Sequence, residues 1–212
     1  MGMPGRDHGV MTDTANGHAP RYDEETVLLV VDVQNDFADP AGSLSVKGAE
    51  EVVEVANREA ARARAAGALV VYTRDWHPPD TPHFEARGGI WPEHCIRDTW
   101  GAEFHPDLEI EGELIHKATG PEDGYSAFSV QHLPTGEVRG TGLAELLREH
   151  GVRHVVIVGI ATDYCVRESG LDAARLGFDT EVLTEGVRAV DLEEGDGERA
   201  LAELERAGVR LI

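Results

Sequence analysis

Cysteine is scarce in this sequence, with two cysteines among 212 residues, which excludes the multi-bridge framework of small secreted domains. Long apolar runs are also absent, and none approaches the ~20 residues that a membrane-spanning helix needs. The longest runs, "VLLVV" and "VVIVG", have the length of buried strands. The first 25 residues contain no apolar segment typical of a secretory signal. We therefore expect a cytoplasmic protein whose thiols stay reduced.

Basic residues are outnumbered, because 19 Lys and Arg stand against 40 Asp and Glu, which gives a net charge of −21. A field of this sign repels phosphate backbones and matches anionic membranes poorly, so we expect no nucleic-acid or membrane partner. Large apolar residues are few in residues 1–22, which we predict to be a disordered extension. The remaining residues, 23–212, are enough for one domain with its own core.

The sequence does contain short apolar runs that alternate with amphipathic segments. The apolar runs predict strands at 26–32, 68–73, 113–117, 154–159, 179–184 and 209–212. The amphipathic segments, several of them closed by a glycine, predict helices at 48–66, 141–151, 163–177 and 195–208. Uniformly apolar strands that alternate with helices are typical of parallel sheets covered on both faces. We therefore predict a three-layer α/β/α domain with a mainly parallel central sheet.

Polar side chains fall at the carboxyl ends of four predicted strands, where open α/β sheets bind their ligands. Asp32 closes the first strand, Asp75 and His77 follow the second, Lys117 ends the third, and Cys165 comes shortly after the fourth. Strand ends are often polar, so one such residue alone would be weak evidence. Together they predict a functional site at this edge of the sheet.

Cys165 lies in "GIATDYCVRES", a tight turn that leads into a predicted helix. The first turn of a helix favours a thiolate, and its free N–H groups, those of Ala161 and Cys165, can form an oxyanion hole. Asp32 can take the thiol proton, and Lys117 can lower the thiol pKa by its charge. A lone cysteine is more often a buried structural residue. The nucleophile hypothesis therefore depends on the Asp and Lys at neighbouring strand ends.

The segment "RDWHPPDTPHFEARGGIWPEHC", residues 74–95, gathers Asp75, His77, His83 and His94 among prolines and glycines. Asp75 and His77 are two residues apart in extended chain, so their side chains share a face. Three imidazoles and a carboxylate suit Zn²⁺, Fe²⁺ or Mn²⁺. An Asp-x-His spacing is, by itself, more often surface polarity than a ligand pair, so the residues alone leave both interpretations open.

Six segments together resemble the isochorismatase-like cysteine hydrolases, and within them the nicotinamidases, also called pyrazinamidases. The segments are "LLVVDVQNDF", "RDWHP", "WPEHC", "IHK", "DGYSAF" and "GIATDYCV", and the resemblance covers residues 25–212. It implies a catalytic triad of Asp32, Lys117 and Cys165, the set already found at the strand ends. It also implies a cis peptide bond between Ile160 and Ala161.

The resemblance also assigns the remaining site residues. It implies that Asp75, His77 and His94 bind one divalent transition metal ion, with His83 as a further ligand, and that the metal orients the substrate through its ring nitrogen. Phe37 and Trp91 would enclose the aromatic ring, and Tyr125 would line the pocket. The implied activity is hydrolysis of nicotinamide, and also of pyrazinamide in some relatives, through a thioester on the cysteine, with no organic cofactor.

Three other interpretations stay open at this point. An enzyme of the same fold could cleave a carbamoyl, ureido or biuret-type amide. A non-catalytic protein could use the four ligands as a structural metal site, and a zinc hydrolase could attack with metal-bound water. Relatives vary in oligomeric state, so the sequence is also compatible with a homo-oligomer.

Overall fold

The computed structural model describes residues 19–212 of the protein. Its strands are Thr26–Val31 (β1), Leu69–Asp75 (β2), Glu113–Lys117 (β3), Glu122–Asp123 (β4), Ser129–His132 (β5), Glu137–Gly140 (β6), His154–Ile160 (β7), Asp179–Arg188 (β8) and Arg210–Leu211 (β9). Six of them form a central sheet in the order β3–β2–β1–β7–β8–β9. Every neighbouring pair in this sheet is parallel.

Helices cover both faces of the central sheet. They are Asn35–Ala38 (α1), Ala49–Ala65 (α2), Leu143–Glu149 (α3), Arg167–Arg175 (α4) and Asp196–Arg206 (α5). Alternate side chains of β1 enter two different cores: Leu28 and Val30 pack on the side of α2, and Val27, Leu29 and Val31 pack on the side of α3, α4 and α5. Because both faces of β1 are buried, its sequence is apolar throughout rather than alternating. The predicted three-layer α/β/α fold is confirmed.

Three details differ from the predicted elements. The predicted helix at 163–177 begins as a π-helical turn, Thr162–Val166, and only then continues as α4. The second strand runs on to Asp75, so it carries that side chain itself. A small antiparallel sheet in the order β4–β5–β6, not predicted from the sequence, lies between β3 and α3 in the chain.

The predicted disordered extension, 1–22, lies outside the described residues except for its last four positions. There, the Tyr22 hydroxyl donates a hydrogen bond of 3.0 Å to the buried carboxylate of Glu59 on α2. Within residues 19–212, no helix is both long enough and apolar enough to cross a membrane.

Candidate active site at the carboxyl edge of the sheet

The ends of four adjacent strands supply the polar side chains of the candidate site. Asp32 directly follows β1, Asp75 is the last residue of β2, Lys117 is the last residue of β3, and Cys165 lies in the π-helical turn after β7. Because these strands are parallel neighbours, their carboxyl ends meet at one edge of the sheet. Asp32 has a φ of +50°, so the chain turns sharply just where β1 ends.

Lys117 is the centre of this group, and its ammonium is completely buried. The Nζ atom lies 2.7 Å from Oδ2 of Asp32 and 2.6 Å from Oδ1 of Asp75, so one cation bridges two carboxylates. It also donates a hydrogen bond of 2.5 Å to the backbone carbonyl of Gly124 and lies 3.6 Å from Sγ of Cys165. These contacts hold the carboxylate of Asp32 and the thiol of Cys165 on the same cation.

Burial raises the pKa of Asp32 to about 6, against the opposing charge of Lys117. Burial alone would lower the pKa of Lys117, but the charges of Asp32 and Asp75 outweigh it and hold that pKa well above its usual value. Asp32 also accepts a hydrogen bond of 2.7 Å from the hydroxyl of Thr73 on β2. Near neutral pH the group therefore contains an ammonium beside a carboxylate that can still accept a proton.

The electrostatics of Cys165 differ from the expectation based on sequence. Burial raises the pKa of the Cys165 thiol well above its usual value, and the nearby charge of Lys117 lowers it by less than burial raises it. A resting thiolate is thus disfavoured, because burial and the neighbouring carboxylates of Asp32 and Asp75 both oppose the charged form. A buried thiol of this kind needs a base at hand during attack, and Oδ atoms of Asp32 and Asp75 lie within 4.8 Å of its sulfur.

Three imidazoles converge beside this group. His77, His83 and His94 are all buried, and each offers one ring nitrogen that lies within 4.8 Å of the other two. Oδ2 of Asp75 lies 3.8 Å from Nε2 of His77, so the carboxylate borders the same space. The four prolines and two glycines of the loop 77–94 allow the chain to turn back so that its ends meet.

The state of these rings suits a metal ion. Burial lowers the pKa of His77 to about 3 and also lowers the pKa of His94, so both rings are neutral and keep a lone pair. Neither ring nitrogen of buried His77 has a hydrogen-bond partner among the described residues, which is unfavourable unless another group occupies the space. Three imidazoles and a carboxylate are a ligand set that fits one divalent transition metal ion.

A narrow cavity opens in front of the cysteine and the histidines. Phe37, Trp91, Tyr125 and Ala161, which were predicted to line the substrate pocket or the oxyanion hole, all line it. Nε1 of Trp91 donates a hydrogen bond of 2.8 Å to the hydroxyl of Tyr125, which fixes the indole. The cavity therefore joins an aromatic wall, the thiol and the imidazoles in one enclosed space.

Four further residues that the sequence did not identify line this cavity, namely Leu44, Gly124, Tyr164 and Val190. Tyr164 packs edge-on against Trp91 with ring centroids 4.8 Å apart. Its position directly before Cys165 was the one signal that could have identified it. Leu44 and Val190 also line the cavity, but both are ordinary apolar residues in loops, and no local pattern distinguishes them.

The nucleophile turn is held by unusual backbone. The peptide bond between Ile160 and Ala161 is cis, as the family resemblance implied. The preceding Gly159 has a φ of +130°, and a Cβ there would lie 2.1 Å from the carbonyl oxygen of Val31, so no other residue fits. The buried carboxylate of Asp163 accepts hydrogen bonds from the backbone N–H groups of Val190 and Asp191, which ties the turn to the loop after β8.

Comparisons with known proteins agree with this site. The family model described as "Isochorismatase domain" matches residues 26–212. The nicotinamidase of Escherichia coli (strain K12) is 35% identical over an alignment of 202 positions, which covers 87% of this chain and 92% of that protein.

Two solved structures resemble the whole domain. The pyrazinamidase of Pyrococcus horikoshii in complex with zinc has a TM-score of 0.79 and 41% identity, covering 89% of this chain and 98% of that one. PnC1 from L. infantum in complex with nicotinate has a TM-score of 0.81 and 34% identity, covering 92% and 96%. Fold, strand-end residues and sequence thus agree, and the chain belongs to the isochorismatase family.

Proposed function

We propose that this protein is a nicotinamidase, which hydrolyses nicotinamide to nicotinic acid and ammonia through a thioester on Cys165. The observation that carries the proposal is the position of Lys117, whose ammonium contacts Asp32, Asp75 and Cys165. Asp75 and Cys165 line the same cavity as the three histidines. The similar proteins of Escherichia coli and Pyrococcus horikoshii, a nicotinamidase and a pyrazinamidase, support the same reaction.

The residues divide the reaction into two steps. Asp32 takes the proton of Cys165 as the sulfur attacks the amide carbonyl, and the backbone N–H groups of Ala161 and Cys165 stabilise the oxyanion. Asp32 then gives its proton to the departing nitrogen, so that ammonia leaves and a thioester forms. Asp32 next deprotonates a water molecule, which hydrolyses the thioester to the acid and restores the thiol. The charge of Lys117 keeps Asp32 ionised between these proton transfers.

The cavity walls orient the substrate. Phe37, Trp91 and Tyr164 present aromatic surface to a planar ring, and Trp91 is held in place by Tyr125. Asp75, His77, His83 and His94 would hold a divalent metal ion, which would act as a Lewis acid toward a ring nitrogen and so contribute positioning. The imidazoles of His77 and His94, whose pKa values burial lowers, are suited to this role because they need no deprotonation before they bind.

The decisive experiment is ammonia release from nicotinamide by the purified, metal-loaded protein and by Cys165→Ala. We expect release by the native protein, no release by the variant, and a nicotinoyl adduct on the native protein after acid quenching. The matched control is Cys95→Ala, because Cys95 is the other buried cysteine and does not line the cavity.

Each alternative predicts a different result. A zinc hydrolase that attacks with metal-bound water would keep its activity in Cys165→Ala and lose it on removal of metal. A structural metal protein would release no ammonia from any amide. Release from carbamoyl or ureido amides, but not from nicotinamide, would refute the substrate while leaving the cysteine chemistry intact.

The same preparation tests the finer predictions. Pyrazinamide differs from nicotinamide by one additional ring nitrogen, and we propose it as a second substrate for the same assay. Metal analysis after purification would identify the ion among Zn, Fe and Mn. Sedimentation would test a homo-oligomer, and cell fractionation would test the cytoplasmic location.

A further inference from the structure

The three histidines of the candidate metal site differ in the hydrogen-bond partner of the ring nitrogen that would not bind the metal. Nδ1 of His94 donates a hydrogen bond of 2.7 Å to the backbone carbonyl of Pro92. Nδ1 of His83 lies 2.5 Å from Oδ1 of Asp123, and neither nitrogen of His77 has a partner among the described residues. Nδ1 of His83 thus faces a carboxylate oxygen, and the tautomer in which Nδ1 donates to that oxygen leaves the lone pair on Nε2.

We propose that Asp123 is a positioning residue that holds His83 as the fourth protein ligand of the divalent metal ion, an inference that rests on the proposed metal site. Among His77, His83 and His94, His83 is the one whose ring contacts a carboxylate through its second nitrogen. A carboxylate in this position fixes the tautomer and the rotation of the ring and makes the imidazole a stronger donor.

Packing fixes the plane of the His83 ring, but it does not distinguish the two ring orientations that are related by a half-turn about the Cβ–Cγ bond. The ring stacks on His77 with centroids 4.7 Å apart and an interplanar angle of 16°, and it stacks on Trp91 at 6.5 Å and 25°. A half-turn of the ring would preserve both stacks and replace the metal-facing nitrogen by a carbon. The hydrogen bond to Asp123 distinguishes the two orientations, because after the half-turn a C–H group would face the carboxylate.

The backbone around Asp123 is itself anchored to the active site. The next residue, Gly124, accepts the hydrogen bond from Lys117 through its carbonyl, and the one after it, Tyr125, holds Trp91. A Cβ on Gly124 would lie 2.7 Å from Cβ of Ala118, so this segment packs closely against the residue that follows β3. Asp123 also pairs with Gln131 in the small antiparallel sheet. The carboxylate is therefore presented from a rigid support.

The test is a measurement of metal affinity, which does not depend on catalysis. Zinc binding would be measured by competition with a chromophoric chelator for the native protein, Asp123→Ala, Asp123→Asn, His83→Ala and the double variant. Removing a group that orients a ligand typically costs 10- to 100-fold in metal affinity. We expect a loss of about this size in Asp123→Ala, and a smaller loss in Asp123→Asn, which keeps an acceptor oxygen. The matched control is Glu122→Ala, the neighbouring acid on β4, which we expect to bind zinc as the native protein does.

The double variant separates positioning from general structure. If Asp123 acts through His83, adding Asp123→Ala to His83→Ala leaves the affinity unchanged. The proposal is overturned if Asp123→Ala binds zinc like the native protein, or if it weakens binding equally with and without His83. Failure of the native protein to bind any divalent metal would instead refute the metal site of the proposed function, and the inference with it.

Discussion

Thr73 offers the sharpest test of the proton-transfer role given to Asp32. Its hydroxyl donates a hydrogen bond of 2.7 Å to Oδ1 of that carboxylate, and both side chains are completely buried. Thr73→Val keeps the shape of the side chain and removes the donor. Because Thr73 lines no part of the cavity, the substitution changes the base without changing the walls that bind substrate.

The expected effect follows from the charge of the acceptor. A hydrogen bond to an ionised group contributes about 1.5–3 kcal/mol, and the same bond to the protonated acid contributes less. Removing the Thr73 hydroxyl should therefore destabilise the ionised form of Asp32 by about 1.4 kcal/mol more than the protonated form. Since 1.36 kcal/mol corresponds to one pKa unit, the pKa of Asp32 should rise by about one from its value of about 6. Asp32 must be ionised to take the thiol proton, so activity is lost as the pH falls through this pKa.

The assay is kcat/KM for ammonia release from nicotinamide as a function of pH at saturating metal concentration. The acidic limb of the pH profile of Thr73→Val should lie about one pH unit above that of the native protein, because the pKa of Asp32 rises by about that amount. Thr73→Ser keeps a hydroxyl and serves as the control, with its limb unshifted. The reasoning would be refuted if the acidic limb of Thr73→Val coincided with that of the native protein. It would also be refuted if the acidic limb of Thr73→Ser shifted as far as that of Thr73→Val.

Two further predictions concern stability. Lys117→Met leaves the buried carboxylates of Asp32 and Asp75 without their shared cation, so urea unfolding at pH 7 should show a loss of about 3–5 kcal/mol; an unchanged midpoint would contradict the ion-pair analysis. Removal of metal by a chelator should lower the thermal midpoint by about 5–10 °C, since metal at 100 times its Kd contributes about 2.7 kcal/mol and each kcal/mol shifts a domain of this size by about 2–4 °C. Re-addition of zinc should restore the midpoint, and no shift in either direction would contradict the metal site.

The central sheet was predictable because burial on both faces produces uniformly apolar runs such as the one in β1. The positions of Asp32, Asp75, Lys117 and Cys165 followed from the rule that parallel strands end at one edge. The small antiparallel sheet was not predictable. Its strands are two to four residues long, and β6 is exposed at every position, so neither length nor alternation marks it.

Other features depend on contacts that have no local signature. The bridging of Asp32 and Asp75 by Lys117 joins three strands, and the pattern around each residue alone resembles an ordinary polar strand end. The prediction for the thiol pKa considered the turn and the lysine but not burial, which raises that pKa by more than the lysine lowers it. The partner of His83 was missed because Asp123 lies 40 positions away in the chain.

The contacts within the active site also constrain how the chain folds. Thr73 and Asp32 are 41 positions apart, Asp75 and Lys117 are 42 apart, and Lys117 and Cys165 are 48 apart. Each contact closes a long loop, and such contacts form slowly because the entropy of closure is lost before the contact stabilises anything. Chemistry at this edge therefore begins only after β1, β2, β3 and β7 are all in place. The return of ammonia release during refolding would thus report when these four strands have assembled, and forms that lack any of them would release no ammonia.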